Sequence, residues 1–253
     1  MGEVVNYEKK NEGYGIIRLN RPEKQNAISL HMGEQLQAKL NEAGKDDLKF
    51  LILTGVEDRM FSAGGDLNDL HGELSTAEAF VNLRPMMEVL KDIVYFPVPV
   101  IALLNGDALG GGCELATACD IRIAKANTKF GFIQTTIGIL PGWGGGALLY
   151  KKVQPDFALN WIATGTVLTA HELKEKGWLH DIIDETEWRD RSYLQKYIAR
   201  SVEQMRLLKE QFKVNTQVAE FSSLMEEEVK NAASLWESAA HKQAIENFSK
   251  RNS

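Results

Sequence analysis

The sequence contains few cysteines, no excess of basic residues and no long apolar run. Only two of its 253 residues are cysteines, Cys113 and Cys119, and their spacing matches no zinc-ligand pattern. We therefore expect two small buried side chains and a reducing compartment. The formal net charge of −6 provides no basic surface for nucleic acid, so we expect no nucleic-acid partner.

Patterns that would direct the chain into or through a membrane are also missing. The longest apolar run, VPVIALL, is far shorter than a bilayer-spanning helix requires. The N-terminal stretch MGEVVNYEKKNEGYG has no apolar core of the kind found in signal peptides. We therefore expect a cytoplasmic protein without a membrane partner.

Short apolar runs that alternate with helical periodicity make up most of the chain. Residues 14–20, 50–55, 98–106 and 119–126 are typical of strands, and residues 29–40 have the apolar spacing of a helix. Near-continuous apolar strands with intervening helices indicate a sheet that is buried on both faces. The pattern therefore predicts an α/β fold.

The pattern of apolar residues changes near Trp188, after which no strand pattern is found. Met225, Val229, Ala232 and Trp236 recur on one face of a predicted helix. We therefore divide the chain into a core over residues 1–187 and a helical C-terminal region over residues 188–253. The helices would pack on the core or on a neighbouring subunit.

Two glycine-rich loops, MFSAGGDLNDL (60–70) and NGDALGGGCELA (105–116), follow predicted strands and precede predicted helices. Glycines at such junctions allow backbone N–H groups to approach a ligand closely, next to the positive end of a helix dipole. Together the loops could form an oxyanion hole; the alternative is two tight turns. Neither loop matches the phosphate-binding or dinucleotide-binding glycine patterns.

The motifs FSAGGDL, NGDALGGGCELATACDIRIA and FGFIQTTIGILPGWGGG, in this order, resemble the enoyl-CoA hydratase/isomerase (crotonase) superfamily. The segments LNRPEKQNAIS and ATGTVLTAHELKEKGWLHDII are similar to other parts of that family, so the resemblance covers nearly the whole chain. It implies a crotonase-like spiral of ββα turns with a helical C-terminal trimerisation region. It also implies a homotrimer or a dimer of trimers, an acyl-CoA thioester substrate, and no metal or redox cofactor beyond the coenzyme A of the substrate.

The resemblance also implies roles for individual residues. Backbone N–H groups of Ala63 and Gly111 would stabilise a thioester enolate, with Glu114 and Gln134 beside it. Contacts to coenzyme A would come from residues 24–27, from the first glycine-rich loop and, across a subunit boundary, from the C-terminal helix. The predicted contact residues are Lys24, Ala27, Ala63, Gly64, Gly65, Asp66, Leu67, Phe248 and Lys250.

Glu114 is the one carboxylate predicted in the active site. It lies three residues after Gly111, so both share one face at a helix start. Burial there would raise the pKa of its carboxyl toward a range useful for proton transfer. The alternative is a first-turn glutamate that only favours the helix dipole.

Gln134 stands where hydratases of the family have a second glutamate, according to the resemblance. An amide cannot transfer a proton, and a missing general acid or base commonly costs about 10²–10⁴ in rate. This leaves a hydratase-type lyase with a single glutamate, or a decarboxylase of a malonyl-type ester such as methylmalonyl- or ethylmalonyl-CoA. GILPGWGG and FSAGGDLN resemble the ethylmalonyl-CoA decarboxylase branch. A third alternative is a non-catalytic CoA-binding scaffold.

Residues 71–90 offer further candidates. Phe80, Met86 and Met87 would line an acyl pocket or lie in the core, and Arg84 would meet a substrate carboxylate or remain solvated.

Overall fold

Ten strands form two sheets in the computed structural model, which describes residues 2–70 and 74–251, without the side chains of Asn68, Leu70 and residues 248–251. The strands are β1 (Val5–Lys9), β2 (Gly15–Leu19), β3 (Leu51–Gly55), β4 (Met60–Ser62), β5 (Val100–Leu104), β6 (Asp107–Leu109), β7 (Ile121–Lys125), β8 (Lys129–Gly131), β9 (Leu168–Thr169) and β10 (Asp181–Ile183). The strands expected from residues 14–20, 50–55, 98–106 and 119–126 are confirmed as β2, β3, β5 and β7.

The larger sheet has the order β1-β2-β3-β5-β7-β10. Only β1 runs antiparallel to its neighbour, and the remaining pairs are parallel. In β3 every residue is buried, because helices cover both faces of the sheet. Leu51 and Leu53 face one apolar core, while Ile52 faces another. The continuous apolar run thus reflects two buried faces.

The smaller sheet, β4-β6-β8-β9, consists of very short strands. Each of β3 and β5 is followed within a few residues by a strand of the smaller sheet, β4 and β6 respectively. Because β4 and β6 pair in parallel, the chain segments that follow them meet at one edge. Those segments are the two glycine-rich loops.

Twelve helices cover the sheets within the described part of the chain. They are α1 (Leu30–Ala43), α2 (Leu67–Leu70), α3 (Thr76–Tyr95), α4 (Gly111–Ala118), α5 (Gly145–Lys152), α6 (Pro155–Thr164), α7 (Ala170–Glu175), α8 (Glu185–Asp190), α9 (Gln195–Ile198), α10 (Val202–Asn215), α11 (Phe221–Ser234) and α12 (Ala239–Arg251). The helix expected over 29–40 is α1, and Ser29 caps it by accepting a hydrogen bond from Met32 N at 3.1 Å.

The C-terminal helices complete the fold. Tyr193, Leu194 and Met205 cover the second face of the larger sheet, and α11 packs against α3 and α5. Met225, Val229 and Ala232 of the predicted apolar stripe lie on α11 and are buried in the main core, whereas Trp236, also buried, lies in the turn after that helix. The boundary proposed between residues 187 and 188 falls within α8, and the division into two regions stays a prediction.

A buried ion pair fastens α10 to the larger sheet. The ammonium of Lys209 is 1% exposed and contacts the Asp120 carboxylate at 2.5 and 2.7 Å. Asp120 also accepts a hydrogen bond from Val100 N, at the start of β5. Removing one partner of such a pair leaves an uncompensated buried charge.

Replacing Asp120 by alanine should lower the free energy of unfolding by about 3–5 kcal/mol. Denaturant unfolding followed by tryptophan fluorescence measures the change. The matched control is Asp47→Ala, which removes an exposed ion pair between the core and Arg206 of the same helix. That change should cost less than about 1 kcal/mol. Equal losses in the two variants would contradict the importance of burial.

Both cysteines are buried and unpaired, as expected. Burial raises the pKa of the Cys119 thiol to about 12, so this thiol stays protonated and unreactive. Among the described residues, no group of three or more histidine, cysteine or acidic side chains is arranged to hold a metal ion. None of the helices in the described ranges is long and apolar enough to cross a membrane.

Candidate active site

A cavity of about 440 Å³ opens between the two glycine-rich loops. Its mouth is lined by the turn after β2 and the loop before α2, and its inner part by α4 and the segments around residues 133–143. The inner lining is largely apolar. Its apolar side chains are Leu83, Ile133, Ile137, Ile139, Leu140, Trp143 and Trp236.

The first glycine-rich loop presents the N–H of Gly65, and here the structure corrects the prediction for Ala63. The Ala63 N–H donates to Gln25 O at 3.0 Å and is therefore occupied. Ile28 N donates to Gly64 O, and Asp66 N donates to Ile28 O, so the Gly65 N–H between them points to the opposite side. It has no acceptor among the described residues, and Gly65 lines the cavity. Pairing with Ile28 thus leaves the N–H of Gly65, and not that of Ala63, available to a ligand in the cavity.

The second loop presents the N–H of Gly111 at the first turn of α4. It also has no acceptor within the described ranges, as expected for a helix start. A Cβ atom on Gly64 would lie 2.9 Å from Gly111 N, so the two loops touch. A Cβ atom on Gly111 would lie 2.1 Å from the Trp143 ring. Only glycine therefore fits beneath this indole, which forms the cavity wall.

Glu114 points from α4 toward residues 142–145, a separate glycine-rich segment that leads into α5. Its side chain is 2% exposed and accepts four hydrogen bonds. One oxygen accepts from Gln134 Nε2 at 2.9 Å and Gly142 N at 3.2 Å, and the other from Trp143 N at 2.9 Å and Gly145 N at 3.0 Å. All of its acceptor sites are thus filled by N–H donors.

Burial raises the pKa of Glu114, and the four N–H donors oppose this rise. The direction agrees with the sequence-based expectation, whereas the extent of hydrogen bonding does not follow from the sequence. A carboxyl group in this position gains a proton more readily than an exposed glutamate does. It can do so only by giving up one of its N–H partners.

Gln134 lies in the 3₁₀ turn Ile133–Ile137 and lines the cavity beside Glu114. Its Nε2 donates to the carboxylate, which defines the orientation of the amide because a carboxylate only accepts. Its Oε1 is buried and accepts no hydrogen bond from any described residue. The site therefore holds one buried carboxylate beside one amide oxygen, and the described part of the chain offers that oxygen no donor.

Arg21 joins the walls at the cavity mouth. Its guanidinium donates to Asp66 at 2.6 Å and to Ala27 O at 3.0 Å. Lys24 is exposed at the same mouth. Arg21 was not among the predicted site residues, although it belongs to the segment LNRPEKQNAIS.

Comparison with known proteins establishes the family. The enoyl-CoA hydratase/isomerase family model matches residues 9–253. The chain belongs to the enoyl-CoA hydratase/isomerase family. It is 37% identical over 183 residues to the putative enoyl-CoA hydratase/isomerase YngF of Bacillus subtilis (strain 168), covering 72% of this chain and 70% of that protein.

Two further family members show the range of the similarity. Ethylmalonyl-CoA decarboxylase of Bos taurus is 33% identical over 214 residues, which is 82% of this chain and 70% of that protein. A crystal structure of enoyl-CoA hydratase from Bacillus halodurans superposes with a TM-score of 0.87 at 25% identity, covering 96% of this chain and 99% of the other. Alignments to four other curated relatives cover 56–64% of their lengths.

The crotonase-like α/β fold expected from the resemblance is confirmed. Of the predicted site residues, those in the turn after β2, the two glycine-rich loops and the 3₁₀ turn all line one cavity. They are Lys24, Ala27, Ala63, Gly64, Gly65, Asp66, Leu67, Gly111, Glu114 and Gln134. The side chains of Phe248 and Lys250 lie outside the described residues.

The remaining candidates on α3 lie away from the cavity of this family member. Met86 and Met87 are buried in the main core, and Arg84 is 61% exposed next to Glu88. Leu83, on the same helix, lines the cavity instead. Its helical spacing does not distinguish it from the core residues around it.

Proposed function

We propose that this protein is an acyl-CoA lyase of the hydratase type that works with Glu114 as its single acid–base group. Family membership supports an enzyme acting on an acyl-CoA thioester. The observation that carries the reaction type is the orientation of Gln134: its amide N–H₂ binds Glu114, and its amide oxygen accepts no hydrogen bond from the residues that the structure describes.

The N–H groups of Gly65 and Gly111 would bind the thioester oxygen. Both belong to loops in contact, and neither has an acceptor among the described residues. Negative charge develops on that oxygen when the substrate becomes an enolate. One such donor is typically worth about 2.7–4 kcal/mol of barrier.

A water molecule between Glu114 and Gln134 would complete the reaction. It would donate one hydrogen to the carboxylate, displacing the long contact from Gly142 N, and the other to Gln134 Oε1. Its lone pair would then be free to attack the β-carbon of the enoyl thioester. Glu114 would take the proton of the water and return it to the α-carbon, so that one carboxyl serves as base and then as acid.

The acyl group of the substrate would carry no distal charge. Along the inner cavity, Glu114 is the only charged residue among those described, and Arg84 does not line it. A distal carboxylate would therefore be desolvated without a cation to pair with. We infer a short or medium-length apolar enoyl group, with the pantetheine chain leaving past Ala63 and Gly64 and the phosphates near Lys24.

Decarboxylation of a malonyl-type CoA ester is the second candidate. The similarity to ethylmalonyl-CoA decarboxylase over 82% of this chain favours it. It would need the Gln134 amide reversed, because its free oxygen would repel the substrate carboxylate. Reversal would place the same oxygen against Glu114, which only a protonated Glu114 could accommodate. No described residue places a cation in the inner cavity, and this weighs against decarboxylation as well.

The deciding experiment compares the two reactions with purified protein. Loss of the conjugated enoyl thioester of crotonyl-CoA measures hydration, and release of CO₂ from methylmalonyl- or ethylmalonyl-CoA measures decarboxylation. We expect hydration to dominate. Dominant CO₂ release would overturn the proposal in favour of the second candidate. Tight CoA binding without turnover of any acyl-CoA would instead indicate a scaffold. We also propose that the protein is cytoplasmic and forms a homotrimer or a dimer of trimers. Light scattering tests the oligomeric state.

Replacing Gln134 by glutamate should increase the hydration kcat, by up to about 10²-fold. The new carboxyl would lie at hydrogen-bond distance from Glu114, so the pair would retain one proton at neutral pH and gain a general acid. This gain should disappear as pH rises through the raised pKa of the pair. The isosteric control Gln134→Met removes both polar groups and should lower kcat. A decarboxylase would respond oppositely, because the added charge repels its substrate.

A further inference from the structure

The loop from residue 142 to residue 147 donates its N–H groups to two different carboxylates. Those of Gly142, Trp143 and Gly145 go to Glu114. Those of Gly144, Gly146 and Ala147 go to Glu228. The loop therefore lies between two acids, and each acid binds the N–H groups that the other leaves free.

Glu228 approaches from the opposite side of the loop to Glu114. It belongs to α11, which packs against α3 and α5, and its carboxylate covers the start of α5. Gly144 N donates to it at 2.8 Å, and Gly146 N at 3.3 Å. It does not line the substrate cavity. Glu228 therefore cannot touch the reacting atoms and acts only through the loop.

We propose that Glu228 is a positioning residue for Glu114, holding the loop so that the N–H groups of Trp143 and Gly145 face the catalytic carboxylate. The inference rests on the proposed function for the role of Glu114, and on the described contacts for the role of the loop. The backbone leaves little freedom to compensate. A Cβ on Gly145 would lie 2.2 Å from Glu114 Cβ, and one on Gly146 would lie 2.7 Å from Glu228 Oε2.

The two acids also interact through charge. Burial, followed by the negative charge of Glu114, raises the pKa of Glu228 well above its ordinary value. The repulsion is mutual, so a proton gained by one carboxyl favours ionisation of the other. The N–H groups between them stabilise the charged forms of both. This coupling to the charge of Glu114 distinguishes Glu228 from an ordinary helix-capping residue.

The test uses Glu228→Ala and Glu228→Gln in the full-length protein. We expect Glu228→Ala to lower kcat by about 10²-fold, the usual effect of a small misplacement of a catalytic group, with KM for crotonyl-CoA within twofold. Glutamine retains one acceptor oxygen for Gly144 and Gly146, so its kcat should lie between wild type and alanine. Glu227→Ala, at the exposed neighbouring position on α11, is the matched control and should leave kcat unchanged.

Hydrogen–deuterium exchange provides a readout that does not depend on activity. In Glu228→Ala, amides of the loop 142–147 should exchange faster, while those of α4 stay protected. A folded Glu228→Ala protein with wild-type kcat, or with unchanged loop exchange, would overturn the positioning role. If wild type hydrates no enoyl-CoA but the exchange result holds, the proposed function fails and the loop-holding role of Glu228 stands.

Discussion

Replacement of Glu114 by glutamine should lower the hydration kcat by about 10²–10⁴-fold, the range expected when a general acid–base group is lost. Glutamine has the same shape, but its N–H₂ would face two of the backbone N–H groups that now donate to the carboxylate. The variant should therefore also lose about 1–3 kcal/mol of stability. Stopped assays of crotonyl-CoA hydration, combined with thermal unfolding, separate the two effects.

The pH profile provides the sharper test of the role of Glu114. The carboxyl must be ionised to accept a proton from water, and burial raises its pKa. Hydration should therefore decline as pH falls through a value above the ordinary glutamate range. This decline should be absent from the residual activity of Glu114→Gln. The control Glu175→Gln, at an exposed position on α7, should retain both the rate and the profile. Crotonyl-CoA hydration that survives Glu114→Gln undiminished would contradict the mechanism.

Replacement of Gly111 by alanine should lower kcat by about 10²–10³-fold, the usual cost of one oxyanion donor. The new methyl group would lie 2.1 Å from the Trp143 ring, so either the indole or the start of α4 must move. Movement of α4 displaces the Gly111 N–H from the thioester oxygen. Movement of Trp143 disturbs its backbone N–H bond to Glu114. Both responses damage the site.

A double variant identifies the clash as the cause. Trp143→Ala makes room for the methyl group, so Gly111→Ala combined with Trp143→Ala should recover part of the kcat lost by Gly111→Ala alone. Gly2→Ala is the control, since a Cβ there contacts nothing within 4 Å. A Gly111→Ala enzyme with wild-type kcat would show that this N–H does not bind the developing charge.

The local sequence pattern was sufficient to predict those strands and helices whose burial follows from their own side chains. The strand at residues 50–55 could be predicted because five consecutive buried residues leave no polar face. Arg122 in β7 shows where such reasoning stops. It occupies a polar position in an alternating strand, yet it is 2% exposed. Its guanidinium donates to Trp178 O at 2.6 Å and Cys119 O at 2.7 Å, and these carbonyls come from the surrounding fold.

The residues of the candidate site likewise fall into those that the sequence predicted and those that only the structure revealed. The GGGCEL stretch, with the family resemblance, was enough to predict that Glu114 and Gly111 lie together at the cavity, because a helix start after a strand brings its N–H groups and first-turn acid together. Glu228 could not be found, because it ends a run of three glutamates that is typical of a solvated helix face. Ala63 was predicted to present the other N–H group to the ligand, but it donates to Gln25 O, and in the described residues the N–H that pairing with Ile28 leaves unbonded is that of Gly65.

The sequence by itself determined the α/β alternation, the two glycine-rich loops, the lone acid Glu114 and the amide at position 134. Only the tertiary structure decided which N–H groups are free, that the Glu114 carboxylate accepts four hydrogen bonds, and that a second acid holds the same loop. The physical reason is that side-chain type and periodicity are local properties. Hydrogen-bond partners and burial depend on segments far apart in the chain, and in this protein they define what Glu114 can do.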